Sequence, residues 1–160
     1  MIQRKQTLFI LFSCIALAIM PFFSIANYVG DYSYILNLFN FKGIIAEIQS
    51  PFSPIFNAPL IGIWALTLAL NLVIIFLYKK RNLQLRLTSI SIGLVMVFML
   101  LIFIYYTPAI EKQLVGFNIK TIYTNSVGIY LPIITFIFLV LAYNFIKKDI
   151  KTMKALDRIR

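Results

Sequence analysis

The sequence predicts an all-α membrane protein, a bundle of four transmembrane helices with both chain ends on the cytoplasmic side. Three observations lead to this fold class. Of the 160 residues, 61% are hydrophobic and 12% are charged, whereas a soluble domain is about half apolar and a quarter charged. Four apolar stretches are each long enough to cross a bilayer. The basic residues gather in the segments on one side of these stretches.

The four apolar stretches are the predicted membrane helices of a single integral membrane domain, residues 1–160. They cover residues 7–27, 58–78, 87–106 and 127–146, and none contains Lys, Arg, Asp or Glu. A hydrocarbon core of about 30 Å needs roughly 20 helical residues, so each stretch can span it without burying a charge. Helices are expected because the stretches lack the alternation of apolar and polar residues found in membrane β-strands.

The distribution of basic residues predicts the orientation of the bundle. Two lie before the first predicted helix, four in the link between the second and third, and six in the C-terminal tail. Twelve of the fifteen basic residues are therefore on one side, and loops rich in Lys and Arg stay in the cytoplasm. Only Lys42, Lys112 and Lys120 fall on the other side. We expect a multi-pass membrane protein with both termini inside.

The first stretch also has features of a cleaved signal peptide. Arg4 and Lys5 give it a positive amino end, and Ser24, Ile25 and Ala26 resemble a small-residue cleavage site. Its apolar run is longer than the core of a usual signal peptide, so an uncleaved helix is the preferred interpretation. Cleavage would leave three helices with the tail inside.

The two longer connections lie outside in this topology and are rich in aromatic residues. Apolar residues of the first connection, residues 30–57, recur at helical spacing: Tyr34, Leu38, Phe41, Ile45 and Ile48. This spacing is typical of a helix that lies on the membrane surface. The runs 32–39 and 117–124 have a strand-like composition instead, and two such strands could pair into a small sheet capping the bundle. Both alternatives stay open.

Few residues of the chain could carry catalysis or hold a metal or cofactor. There is no histidine, and Cys14 is the one cysteine, so a histidine-dependent triad is excluded and a zinc site lacks its usual ligands. Transport and proton-relay sites usually contain ionisable residues within the membrane, and the predicted helices have none. Nothing in the spacing of Glu47 and Glu111 supports a hydrolytic pair. We expect no enzymatic activity, no cofactor and no metal.

Three residues inside the predicted helices bear on packing and on a possible cavity. Asn71 is the most polar residue near the middle of a helix, and we expect it to hydrogen-bond to a neighbouring helix. Pro21 and Pro132 lie inside predicted helices, where a proline removes a hydrogen bond and kinks the helix. Such kinks could open a cavity for a lipid or solute.

The C-terminal tail, residues 147–160, is predicted to continue the fourth helix into the cytoplasm as an amphipathic, basic segment. Its basic residues line one side of a helix: Lys147, Lys151, Lys154 and Arg158. Anionic lipid headgroups attract such residues by about 1 kcal/mol each near the surface. An acidic protein surface, or RNA such as a ribosome near the membrane, is the other interpretation. Asp149 and Asp157 could pair within the helix or with a partner's arginine.

Three segments of the chain together resemble one protein family: residues 1–12, 79–87 and 144–160. They are similar to small four-helix inner-membrane proteins of Bacteroidota, described as a domain of unknown function (family number 4293). The most specific motifs are Met-Ile-Gln-Arg at 1–4, Leu-Gln-Leu-Arg-Leu at 83–87, Lys-Lys-Asp at 147–149 and Asp-Arg-Ile-Arg at 157–160. The resemblance covers the whole chain and implies the four-helix topology and a bacterial cytoplasmic membrane. It brings no activity and no active-site residues.

The family-like motifs all lie on the predicted cytoplasmic face, so we expect partner contacts there. The residues predicted to contact a partner or lipid are Arg4, Gln84, Arg86, Lys147, Lys148, Asp149, Lys151, Lys154, Asp157, Arg158 and Arg160. The predicted function is a non-catalytic accessory or assembly subunit of a larger bacterial inner-membrane complex, for instance in protein export or envelope biogenesis. The alternative is a small lipid or solute transporter or binding protein with a cavity between kinked helices.

Overall fold

The structure is mostly helical, and three of its helices are long and apolar enough to cross a membrane. The computed structural model describes residues 3–30, 33–43, 52–78, 80–116 and 121–159. Within them the three continuous helices are Ile55–Phe76, Arg81–Gly116 and Val127–Met153, of 22, 36 and 27 residues. A shorter apolar helix, Gln6–Phe22, precedes them.

The helices pack side by side as an antiparallel bundle. Their α-helical parts are α1 Gln3–Ile19, α2 Ala58–Phe76, α3 Arg81–Leu100, α4 Thr107–Gly116 and α5 Tyr130–Ile159. Helix α1 contacts α2 and α5, and α3 contacts the same two helices, so the four long helices form a closed ring. The outward side chains are as apolar as the core: Phe76 is 79% exposed and Ile104 is 68% exposed. Lipid is the solvent that accommodates such a surface.

A four-stranded antiparallel sheet covers the end of the bundle where α1 ends and α5 begins, which we call the sheet end. Its strands are β1 Ala26–Gly30, β2 Tyr34–Leu36, β3 Phe41–Gly43 and β4 Thr121–Asn125, in the order β3-β2-β1-β4. In β1, Tyr28 lies opposite Tyr34 of β2 and Tyr123 of β4. One face of the sheet is apolar and buried, which is the usual way for an antiparallel sheet to pack on a core.

Of the two alternatives for the outside connections, the sheet is confirmed. Strand β2 falls in the run 32–39 and β4 overlaps the run 117–124, although β1 lies between them. The surface helix is wrong for Tyr34 and Phe41, which belong to strands. Its other predicted positions include Ile45 and Ile48, which lie outside the described residues. The local apolar spacing fits either a helix or a strand. Pairing within the sheet, of β2 with β1 and of β1 with β4, therefore decides between the two structures.

The first predicted helix ends earlier than residue 27. Helix α1 stops at Ile19, a 3-10 turn covers Met20–Phe22, and Ala26 and Asn27 already belong to β1. Pro21 explains the stop because it has no N–H to donate to the carbonyl of Leu17, four residues earlier. That carbonyl instead accepts a hydrogen bond from the indole N–H of Trp64, at 2.9 Å.

Neither proline expected to kink a membrane helix lies in a helix interior. Pro21 lies in the 3-10 turn after α1, and Pro132 lies in the first turn of α5. A proline in a first turn removes an N–H that has no partner within the helix, so it does not bend it. Both prolines therefore lie near helix ends, and not in the helix middles where the predicted kinks would open a cavity.

The third predicted helix, residues 87–106, extends further at both ends. It is continuous from Arg81 to Gly116 and contains a π-helical segment, Leu101–Tyr106. Pro108 cannot donate to the preceding turn, and the hydroxyl of Thr107 donates to the carbonyl of Ile102 instead, at 3.0 Å. These local changes favour the wider turn. At 1.5 Å per residue the helix is about 54 Å long, so α4 projects beyond a hydrocarbon core and packs against the sheet.

Candidate functional site

Exposed positive charge gathers at the end of the bundle opposite the sheet. Helix α1 begins here, α2 ends, α3 begins, and the C-terminal part of α5 passes by; we call this the basic end. Its exposed basic side chains are Lys80, Arg86, Lys147, Lys148 and Lys151. None of these five forms an ion pair with another side chain that the structure describes. The basic end therefore presents positive charge that is free to meet an external anion.

An ion pair between α3 and α5 fixes the geometry of the basic end. The Nη1 atom of Arg81 lies 2.5 Å from Oδ2 of Asp149, and the two side chains are 19% and 8% exposed. The same Nη1 atom donates to the sulfur of Met153. Asp149 thus pairs within the chain, and its position on the inner face of α5 leaves Lys147, Lys148 and Lys151 pointing outwards.

Two glutamine side chains tie the helices together near the basic end. The Nε2 atom of Gln84 donates to the carbonyl of Ile74 in the last turn of α2, at 3.3 Å. The same carbonyl also accepts a hydrogen bond from the backbone N–H of Leu77 at 3.2 Å, so Gln84 ties α3 to the last turn of α2. Gln6 of α1 donates through Nε2 to the carbonyl of Phe145 in α5, at 3.2 Å.

Asn71 forms the predicted hydrogen bond to a neighbouring helix. The hydroxyl of Ser91 in α3 donates to Oδ1 of Asn71 in α2 at 2.6 Å, and both residues are completely buried. The Nδ2 atom of Asn71 has no hydrogen-bond partner among the residues that the structure describes. This contact fixes the register of α2 against α3, which is the usual role of a polar residue in a membrane helix.

The structure separates the predicted contact residues into three groups. Arg86, Lys147, Lys148 and Lys151 are exposed. Gln84 and Asp149 are 2% and 7% exposed, so they bind other helices of the bundle, which differs from the exposed face predicted for them. The remaining residues lie outside the described side chains, although all except Arg160 belong to a described helix: Arg4, Lys154, Asp157, Arg158 and Arg160.

Sequence reasoning did not identify the two residues that organise the basic end, Arg81 and Gln6. A signal for Arg81 was present, because an isolated aspartate in a basic run needs a cation when it is buried. Of the two alternatives predicted for Asp149, a partner within its own helix or an arginine of another protein, the described residues show neither, because Arg81 belongs to α3 of the same chain. Gln6 carried no signal, since a polar residue near the start of a membrane helix is ordinary.

The sheet end carries a different chemistry. Burial raises the pKa of the Tyr28 hydroxyl, with Tyr123 and Glu111 adding to the shift. Burial likewise raises the pKa of Tyr123, so both phenols are neutral. Glu111 is exposed on α4, and its proposed companion Glu47 lies outside the described residues. Among the described residues, no three or more His, Cys, Asp and Glu side chains come together.

The fold defines a class, small helical bundles whose long apolar helices could cross a membrane and whose one end is capped by a β-sheet. The chain belongs to the family described as Domain of unknown function (DUF4293), whose model matches residues 2–159. The resemblance found in the terminal segments and the inner link is thereby confirmed. Neither a curated protein nor a solved structure matches the chain.

Proposed function

We propose that the chain crosses a bacterial inner membrane four times, with the basic end in the cytoplasm and the sheet end outside. Three of the helices are long and apolar enough by themselves. For the first, the apolar helix Gln6–Phe22 reaches about 27 Å, with its three 3-10 residues at 2.0 Å each and the others at 1.5 Å, which is close to a hydrocarbon core of about 30 Å. The orientation follows from the basic residues, which stay on the cytoplasmic side.

Within that membrane, the proposed function is that of a non-catalytic accessory or assembly subunit of a larger complex. The observation that carries this proposal is the basic end, where five exposed cations have no ion-pair partner among the described side chains. The one acidic side chain described there, Asp149, is already paired with Arg81. In this proposal, an acidic surface on a partner protein, together with anionic lipid headgroups, supplies the negative charge that pairs with these five cations.

The arrangement of the polar interior supports the same proposal. The buried amides of Gln6, Gln84 and Asn71 contact other helices of the bundle. These contacts stabilise the bundle. The three amides are therefore not arranged around a cavity in which a solute could bind. The transporter alternative rested mainly on helix kinks at Pro21 and Pro132. Both prolines lie at helix ends, so this support is lost. We therefore keep one proposed function.

The test is purification of the tagged chain, expressed at native level, in a mild detergent, followed by mass spectrometry of co-purifying proteins. We expect a stable assembly with at least one larger membrane protein. Reversing three charges with Lys147→Glu, Lys148→Glu and Lys151→Glu should release that partner, because opposite charges become like charges. The matched control replaces the same three lysines with arginine, which keeps the charge and should retain the partner.

Two results would contradict the proposal. A lone monomer from the wild-type chain, with no co-purifying protein, would exclude a stable accessory role. If the partner remains bound after the triple charge reversal, its contact with the chain does not depend on the basic end. Size-exclusion profiles of all variants in detergent show whether the bundle itself is intact.

A further inference from the structure

At the sheet end, an open groove of about 610 Å³ runs between α4 and the turn that precedes α2. Its lining includes Phe52, Phe56, Tyr105, Ala109, Lys112 and Gln113. A smaller cavity of about 160 Å³ adjoins it across Phe52 and Phe56, and Lys42 is part of its lining. The groove has the volume of an ordinary ligand site, about 300–1,000 Å³.

The shared wall of the two cavities is held in place by tilted and edge-to-face contacts between aromatic rings. The ring centroids of Phe52 and Phe56 are 4.3 Å apart, and Phe56 contacts Tyr106 at 4.9 Å. On the other side, Phe52 contacts Phe41 of β3 at 5.1 Å. The wall therefore bridges the sheet and the continuous helix, and aromatic pairs of this kind add to the energy of burial.

Three hydrogen bonds also hold this wall against neighbouring segments. The hydroxyl of Tyr106 donates to the carbonyl of Phe56 at 2.7 Å. The Nδ2 atom of Asn57, which is 2% exposed, donates to the carbonyls of Asn37 and Leu38 at 3.1 and 3.3 Å. The groove is thus formed by a constrained turn, so its shape is present before any ligand binds.

The charges of the two cavities point to an anionic ligand. The sequence has three basic residues on the side of the sheet end, Lys42, Lys112 and Lys120. Two of them, Lys42 and Lys112, line these cavities, and neither forms an ion pair with a described side chain. Basic residues are depleted outside the cytoplasm, so their concentration at two adjoining cavities favours a specific role.

The position of the groove along the helix matches the outer lipid layer. At 1.5 Å per residue, Tyr105 lies about 36 Å and Lys112 about 46 Å from Arg81. A bilayer with its headgroups is about 40–45 Å thick. With Arg81 at the inner headgroup surface, Tyr105 falls within the outer headgroup layer and Lys112 at its edge. The aromatic part of the groove is nearer to the acyl chains, and the lysine is further out.

We propose that this groove binds an anionic phospholipid of the outer leaflet. The apolar part of the lipid lies against Phe52, Phe56 and Tyr105, and its phosphate is bound by Lys112, with Lys42 as a second cation across the aromatic wall. The proposal rests on the membrane position of the sheet end. It does not depend on a protein partner at the basic end.

The experiment uses the full chain purified in a non-ionic detergent and measures lipid binding by native mass spectrometry. The probes are phosphatidylglycerol, phosphatidylcholine and a free fatty acid. All proteins carry the Lys147→Glu, Lys148→Glu and Lys151→Glu replacements, so that lipid bound at the basic end does not contribute. We expect phosphatidylglycerol to bind more tightly than the other two probes.

Two variants test the groove itself. Lys112→Glu should weaken phosphatidylglycerol binding about tenfold, the effect of losing a charge-assisted contact, whereas Lys112→Arg should restore it. Gln113→Trp, at an exposed lining position, should block the groove without disturbing the core. Equal binding of phosphatidylcholine, preferred binding of the fatty acid, or full binding by both Lys112→Glu and Gln113→Trp would overturn the proposal. Co-purification of a partner protein is measured separately, so each proposal can fail alone.

Discussion

The sheet end of the bundle is covered by the chain itself, whereas the basic end leaves its charged side chains exposed. At the sheet end, four strands and α4 bury large residues such as Tyr28 and Tyr106 completely. At the basic end, α2 and α3 meet through a short link, and Lys147, Lys148 and Lys151 point away from the bundle. One end is closed by internal packing, and the other presents exposed positive charge.

The two ends of the bundle differ in which side chains can bind another molecule. Buried aromatic contacts at the sheet end stabilise the fold, and they leave a shaped groove beside them. Exposed lysines contribute little to the stability of a protein, so their concentration at the basic end calls for another reason. Charge complementarity with a partner governs association and specificity, which is the role we propose for them.

The largest expected effect concerns the sides of the membrane on which the two ends lie. In a Cys14→Ser background, a cysteine at Thr124 in β4 should react completely with a membrane-impermeant maleimide added to spheroplasts. A cysteine at Lys151 in α5 should react only after the membrane is permeabilised. Both positions are exposed, so burial does not explain a difference. Labelling of Lys151→Cys in intact spheroplasts would contradict the orientation.

The next effect tests the packing of the sheet end. A Cβ atom at Gly128 would lie 2.5 Å from the carbonyl oxygen of Ser24, and the N–H of Gly128 donates to that same oxygen. Gly128→Ala should therefore destabilise the fold by about 3 kcal/mol, measured as a lower melting temperature in detergent. Gly62→Ala is the control, because nothing lies within 4 Å of its added Cβ. Equal melting temperatures for the two variants would refute the close contact.

A smaller effect is expected from breaking the ion pair of the basic end. Arg81→Ala leaves the nearly buried carboxylate of Asp149 without its cation and should cost about 2 kcal/mol, less than a fully buried pair because Arg81 is partly exposed. Trypsin should then cleave the C-terminal part of α5 faster than in the wild type. The exchanged pair, Arg81→Asp with Asp149→Arg, should restore part of the protection. Unchanged cleavage of Arg81→Ala would show that the pair does not hold α5.

The smallest effect on stability is expected from removing the hydrogen bond between Asn71 and Ser91, which lies between the two ends of the bundle. A double-mutant cycle with Asn71→Leu and Ser91→Ala should give a coupling energy of about 1 kcal/mol, which is typical of a hydrogen bond between membrane helices. Contacts that each side chain makes elsewhere cancel in the cycle, which leaves the coupling between the two residues. Additive effects of the two substitutions would mean that the bond contributes nothing to stability.

The sequence alone was enough for the long helices and for the helical tail. Helix α2 lies within the predicted range 58–78, and α5 continues through residue 147 to Ile159 as predicted. The prediction for α2 succeeds because a long uncharged run has few stable alternatives in a membrane. The end of the first helix was missed, because the apolar residues of β1 continue the hydrophobic run of α1 without a change in composition.

Features that depend on tertiary contacts could not be predicted from the sequence. The pairing of β1 with β4 joins positions about a hundred residues apart, and short strands carry no local signal for their partner. The pair of Arg81 with Asp149 requires that α3 and α5 be neighbours, which hydropathy does not reveal. The groove requires the ring contacts of Phe52 and Phe56, and aromatic composition alone does not predict them.

The most direct test of the central claim is site-specific photo-crosslinking in living cells, with the photoreactive residue at Lys151 of the basic end or at Ile122 of the sheet end. Both side chains are exposed. We predict one discrete adduct of higher mass from Lys151, identified by mass spectrometry as a larger membrane protein, and no such adduct from Ile122. If Lys151 yields no protein adduct, or if Ile122 yields the same one, the basic end is not the docking surface.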